Sequence, residues 1–160
     1  MIIISKFAEL GNSINTVLLK LITSQNLCKY LYYNDSTPLD GATIADTSSL
    51  LYTKIYPYNH VPDTQEESGS ILNLIFDWIG LSDNPYYKKG NLNFIILCHR
   101  DVWRTNINLR PFCIMAEIDT IFNSQSVIGI GKGEFGGCVP IWSENNYSGY
   151  KLIYKNWEFN

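Results

Sequence analysis

The stretch Gly129-Ile130-Gly131-Lys132-Gly133-Glu134-Phe135-Gly136-Gly137, continued by Cys138-Val139-Pro140-Ile141-Trp142, decides between two folds. Gly131, Gly133 and Gly136 spell G-x-G-x-x-G, the pattern with which dinucleotide-binding domains cradle phosphate. That turn works only between a strand and the start of a helix, because the free amides and dipole of the helix hold the pyrophosphate. Cys138-Val139-Pro140 begins no helix, and too little sequence follows to complete a βαβ unit. Glycines spaced along an extended segment instead mark a bulge, a bend or a close approach of backbones. The segment reads as a strand or hairpin with Lys132, Glu134 and Phe135 projecting from it, and no cofactor is expected there.

Working outward, the flanking chain supplies a mixed set of elements. Phe7, Leu10, Ile14, Val17, Leu18 and Leu21 recur at helical spacing, and the period runs on through Cys28, Leu31 and Tyr32. This predicts a long N-terminal helix, capped by Ser5, with Gly11 as its weak point. Residues 34–49 are dense in turn formers. The Tyr- and Ile-rich residues 51–58 read as a strand whose Pro57 confines it to an edge or an end. Residues 70–80 fit either period, but the bounding Gly69 and Gly80 favour a strand.

Residues 91–99 form the clearest strand, an apolar run suited to a sheet interior. A second helix is expected to open at Asn108, with Pro111 in its first turn, and to bury the stripe Ile114, Met115, Ile118, Ile121 and Phe122. Strands at 127–135, 138–142 and 149–159 complete an α+β domain, a mostly antiparallel sheet packed against two helices in the order α-β-β-β-α-β-β. The 160 residues fit one domain, residues 1–160.

Composition narrows function by exclusion. The net charge is −3 and no Lys/Arg cluster exceeds Lys88-Lys89, so sequence-independent nucleic-acid binding is not expected. No apolar run approaches the ~20 residues that span a bilayer, which argues against membrane partners, and no secretion signal is read. Cys28, Cys98, Cys113 and Cys138 show no C-x-x-C pairing, so buried free thiols are expected in place of a metal site.

A second motif also reads as coincidence. His99-Arg100-Asp101-Val102-Trp103-Arg104-Thr105-Asn106 matches H-R-D-x-x-x-x-N, the catalytic loop of protein kinases. Yet the glycine-rich loop, which precedes it in kinases, follows it here, and no lysine strand or D-F-G accompanies it. His99-Arg100-Asp101 reads more simply as the exit of an apolar strand into solvent. No catalytic or metal-ligating residue is assigned. The aromatic residues of the second half are divided between core and interface, and Tyr150, Leu152 and Tyr154 alternate with Lys151, Ile153 and Lys155 as a half-buried strand would.

The N-terminal stripe from Phe7 to Leu21, the strand at 91–99, Leu109-Arg110-Pro111 opening the second helix, and Gly149-Tyr150-Lys151-Leu152-Ile153-Tyr154 in the last strand occur in an order that resembles the tail-terminator and neck (head–tail connector) proteins of tailed bacteriophages. That resemblance implies a virion protein without catalytic residues, assembled in the host cytoplasm into a homo-oligomeric ring, a hexamer or dodecamer. Its partners would be copies of itself and adjacent connector, portal or tail-tube proteins, with DNA passing through the lumen unbound. The interface candidates are Lys132, Glu134, Phe135, Glu66, Glu67, Tyr86, Tyr87, Trp103 and Trp157. Two competing expectations stand beside it. One is a small enzyme or ligand-binding protein using the 129–137 segment and the 99–106 loop; the other is a host-directed phage protein that binds a cellular partner.

Overall fold

The computed structural model describes residues 6–63, 68–81, 83–84, 88–125 and 132–159. Two helices open the chain, α1 (Lys6–Leu21) and α2 (Gln25–Tyr32), followed by β1 (Ile55–Tyr56), β2 (Ser70–Leu81), β3 (Lys88–His99), α3 (Arg110–Phe122), β4 (Glu134–Trp142) and β5 (Tyr147–Phe159). The five strands form one sheet in the order β1-β2-β3-β5-β4. All its pairings are antiparallel except β1 on β2. The fold is therefore α+β, as the sequence pattern predicts.

The predicted single N-terminal helix is two helices. The turn at Ile22-Thr23-Ser24 tightens to i→i−3 bonding, with Thr23 N donating to Lys20 O and Ser24 N to Leu21 O. The Thr23 hydroxyl also takes the Lys20 carbonyl at 2.6 Å. Ser24 then starts a new helix by accepting the Leu27 amide at 3.2 Å, a cap of the kind that contributes about 1 kcal/mol. Hydrophobic spacing passes through this break because both helices bury the same stripe: Leu10, Val17, Leu18 and Leu21 from α1, Leu27, Cys28 and Leu31 from α2. Gly11 lies inside α1, and Ser5, the expected cap, is outside the described residues.

All three helices bury their stripes with one face of the sheet. Leu72 and Leu74 of β2, Leu92, Phe94, Ile96 and Cys98 of β3, and Leu152 and Tyr154 of β5 meet Ile114, Ile118 and Phe122 of α3 there. The opposite face holds a smaller cluster of Tyr56, Ile71, Leu97 and Tyr147. Residues 57–63 run over it: Asn73 donates to the His60 carbonyl at 2.8 Å, and Asn145 to the Pro62 carbonyl at 3.0 Å.

Several boundaries differ from the sequence expectation. Only Ile55–Tyr56 of the Tyr-rich 51–58 segment is strand, because Tyr52 takes a positive φ of 62° and Pro57 follows at once. Residues 70–80 are strand, as favoured. The cap of the second helix lies one residue past Asn108: the Asn108 side chain accepts the Leu109 amide at 2.7 Å, while Leu109 occupies the cap position and the helix starts at Arg110. The strand expected at 127–135 falls largely outside the described residues, and Glu134–Trp142 is continuous. Within it the register shifts between Phe135 and Gly137, so Gly136 is the extra residue of a bulge and Gly137 sits at φ 147°. The glycines at 136 and 137 thus serve the bend that their spacing implies.

Candidate assembly surface

Strand β4 lies at the sheet edge opposite β1 and is exposed along most of its length. The Ser143 amide donates to the Tyr147 carbonyl at 2.8 Å, which fixes the parity of the hairpin. Ile141 and Val139 therefore turn their backbone polar groups toward β5, and Trp142, Pro140 and Cys138 turn theirs to the free edge. Proline at an outward position removes a donor from that edge, and the Gly136 bulge twists it further on. Both are devices that prevent a further strand from adding. Contacts on this flank must then come from side chains.

Those side chains form a groove. By register, Phe135, Cys138, Pro140 and Trp142 pair with Tyr154, Leu152, Tyr150 and Ser148, which puts them on the helix-bearing face beyond α3. Along α3, Phe112, Met115, Ala116, Asp119 and Asn123 face them. The Phe112 and Tyr150 rings lie 5.0 Å apart. Between Met115, Ala116, Asp119, Asn123, Phe135 and Leu152 lies a cavity of about 260 Å³. Trp142 is 79 % exposed and Phe135 51 %, so the groove presents aromatic surface that nothing within the described chain covers. Three helices do not cover five strands, and the β4 end of the sheet is left bare.

One hydrogen-bonded pair marks the groove floor. The Tyr154 hydroxyl donates to Asp119 Oδ1 at 2.6 Å, and Asn123 Nδ2 lies 3.4 Å from Asp119 Oδ2. Burial raises the Tyr154 pKa above its ordinary value, and the adjacent carboxylate raises it further. Burial likewise pushes Cys28 up to about 11 and Cys98 to about 12. All three groups are held neutral in the fold and ionise more easily when unfolded. Their stabilisation is therefore complete below the unfolded-state values, roughly pH 9 for thiols and pH 10 for tyrosine, and is lost as pH rises through the folded values. Urea unfolding under reducing conditions should show stability falling from about pH 9 upward, with Tyr154→Phe losing less than wild type above pH 10. A flat profile to pH 11 would remove this account.

The expected site residues fall in different places. Lys132 and Glu134 are exposed at the entry to β4, and Phe135 lines the groove. Trp103 is half-buried and donates its indole N–H to the Cys98 carbonyl at 3.0 Å, which ties it to the end of β3. Trp157 lies in β5 opposite Gly90. Glu66, Glu67, Tyr86 and Tyr87 are outside the described residues. Cys138 is exposed, contrary to the expectation of four buried thiols, because it sits on the uncovered strand; the other three are buried. Phe112 and Asp119 are not among the candidates read from the sequence, whereas Trp142 belongs to the aromatic residues divided there between core and interface. The second stripe on α3 that carries Phe112, Ala116 and Asp119 was the available signal.

His99 pairs with Tyr147 and Phe135 with Tyr154, so these two residues lie about 23 Å apart along β5 at ~3.3 Å per residue. His99 Nδ1 accepts the Asp101 amide at 3.2 Å and caps the turn Arg100–Val102, so it cannot also donate to the Asp101 carboxylate 3.4 Å away. The Asn106 amide is bound to the Ser36 carbonyl at 2.7 Å. Among the described residues no three His, Cys, Asp or Glu side chains gather as metal ligands would, and no helix is long and apolar enough to cross a membrane.

An α+β fold with an exposed aromatic flank and a blunted edge is the class that fold and surface define. The chain belongs to the YomW family, whose model matches residues 24–156. This is a family named from SPBc2-type Bacillus phages, and the protein is phage-associated. Neither the curated proteins nor the solved structures contain a match.

Proposed function

We propose that the protein is a structural component of a tailed phage particle, assembling through protein–protein contacts into a ring at the head–tail connector or the top of the tail. The observation that carries this reading is the aromatic groove between α3 and β4 on an edge that rejects added strands. Exposed apolar surface of this kind marks contact with another protein. Family membership supports the phage setting, and the order of elements, α-α-β-β-β-α-β-β, keeps the pattern that resembles tail terminators. The net charge of −3 suits a ring that lets DNA pass without gripping phosphate. The reading assigns no catalysis and no cofactor to the chain; its partners are copies of itself and the neighbouring connector or tail proteins.

The test is the mass of the protein in solution at high concentration, alone and with connector or tail-tube proteins, followed by microscopy. A closed oligomer and presence in purified particles are the expected results. A monodisperse monomer under every condition sinks the ring. Recovery from host lysate on a cellular partner, with none in particles, would favour the host-directed alternative.

A further inference from the structure

We propose that the apolar end formed by Phe7, Leu81 and Lys88 of one subunit docks into the α3–β4 groove of a second copy of this chain, placing Lys88 against Asp119. The inference rests on the ring reading and specifies its contact.

Two surfaces of the subunit are complementary in charge, and each exposes apolar side chains. The groove is a cavity of about 260 Å³ with apolar walls from Met115, Ala116, Phe135 and Leu152. A cavity of about 150 Å³ already admits a benzene ring, so the groove has room for a large side chain. Its charged group is Asp119, which accepts the Tyr154 hydroxyl on one oxygen and, at 3.4 Å, the Asn123 side-chain amide on the other. Among the described residues no Lys or Arg forms an ion pair with it.

The second surface has the opposite sign. Phe7 at the start of α1 is 69 % exposed, and Leu81 at the end of β2 is 73 % exposed. Lys88 Nζ lies 4.3 Å above the Phe7 ring, so the cation and the apolar patch, which borders a hollow of about 270 Å³ beside Ile79 and Gly80, form one unit. A carboxylate set among apolar walls suits an apolar insert that carries a cation, since desolvation strengthens their attraction. Because Pro140 and the Gly136 bulge disfavour strand addition at the β4 edge, exposed side chains such as Phe7 and Leu81 suit this flank better than an added strand.

The two patches lie apart on each subunit. Lys88 pairs with Phe159 and the groove floor ends at Tyr154, five residues away and about 17 Å along β5. Contact between two different patches is heterologous, and repeated it closes into a ring or extends as a filament.

Cys138, the exposed thiol on β4 opposite Leu152, supplies a probe in the native sequence. Leu81→Cys should yield a ladder of disulfide-linked oligomers on mild oxidation, and Leu81→Cys with Cys138→Ser should yield none. Lys88→Glu should raise the concentration for half-assembly at least about tenfold, equivalent to 1.4 kcal/mol, whereas Lys88→Arg should not. Circular dichroism confirms that each variant folds. An assembled wild type with no ladder and an unchanged Lys88→Glu mass overturns this contact and leaves the ring standing. A disulfide-linked dimer that survives Cys138→Ser means a symmetric Leu81 contact and also overturns it. A wild type that is monomeric throughout overturns the ring and this contact together.

Discussion

Replacing Arg110 by methionine should lower the unfolding free energy by about 3–5 kcal/mol, a large share of the ~5–15 kcal/mol that holds a domain together. The side chain is fully buried, and its partners are backbone carbonyls of three segments. Nε donates to Val102 O at 2.6 Å, Nη1 to Tyr30 O and Tyr33 O at 2.8 Å each, and Nη2 to Asp35 O at 2.6 Å. Tyr30 and Tyr33 end α2, so the guanidinium caps that helix where its dipole is negative. Burial lowers the Arg110 pKa, while Cys98, Asp35, Cys113 and Tyr30 act in the opposite sense. Methionine fills the volume but strands four acceptors, each costing about 1–3 kcal/mol when buried without a donor. Lysine keeps the charge and lacks the planar fork, so Arg110→Lys should recover less than half of the loss. Urea titration of the three proteins measures this; a methionine variant within about 1 kcal/mol of wild type would show that the clamp is not what joins α2 to α3.

Gly149→Ala should be nearly as damaging, at about 3 kcal/mol or more, although it adds one methyl group. Gly149 is buried in β5 between Leu97 of β3 and Ile141 of β4. A Cβ there would overlap the Ile96 carbonyl oxygen and stand 2.9 Å from the Ile96 carbonyl carbon. These are backbone atoms of the central strand and cannot rotate away. The expected readout is a fall in urea midpoint together with loss of protection for the β3–β5 amides in hydrogen exchange. Gly137→Ala is the contrast: its Cβ meets nothing within 4 Å, so any cost comes from its φ of 147° alone.

Which features were legible follows from the range of the physics. β3 announces itself because an uninterrupted apolar run is what burial on both faces requires, and it does lie mid-sheet. α3 was legible to within one residue, since Pro111 and the Ile114–Ile118–Phe122 stripe are local signals. The bend in the glycine segment was legible from its spacing, and it is the bulge at Gly136. The break at Thr23 was hidden because two helices sharing one stripe preserve its period. Arg110 could not be recognised as a clamp from its neighbours in sequence, because Tyr30, Tyr33 and Asp35 are some 75 to 80 positions away. The groove lies between these cases. Its α3 wall is a helical stripe that could be read, but that the strand facing it lacks a covering helix is a property of the assembled sheet.

The strand order β1-β2-β3-β5-β4 bears on how the chain emerges during synthesis. β5 follows β4 in sequence yet separates it from β3, so when residue 142 leaves the ribosome β4 has no neighbour to pair with. Until residues 147–159 appear, one side of β3 stays open, and with it the apolar row of Leu92, Phe94 and Ile96. The nascent chain must carry that open side until β5 has emerged, which makes the pairing of residues 147–159 the step that commits it to a closed sheet.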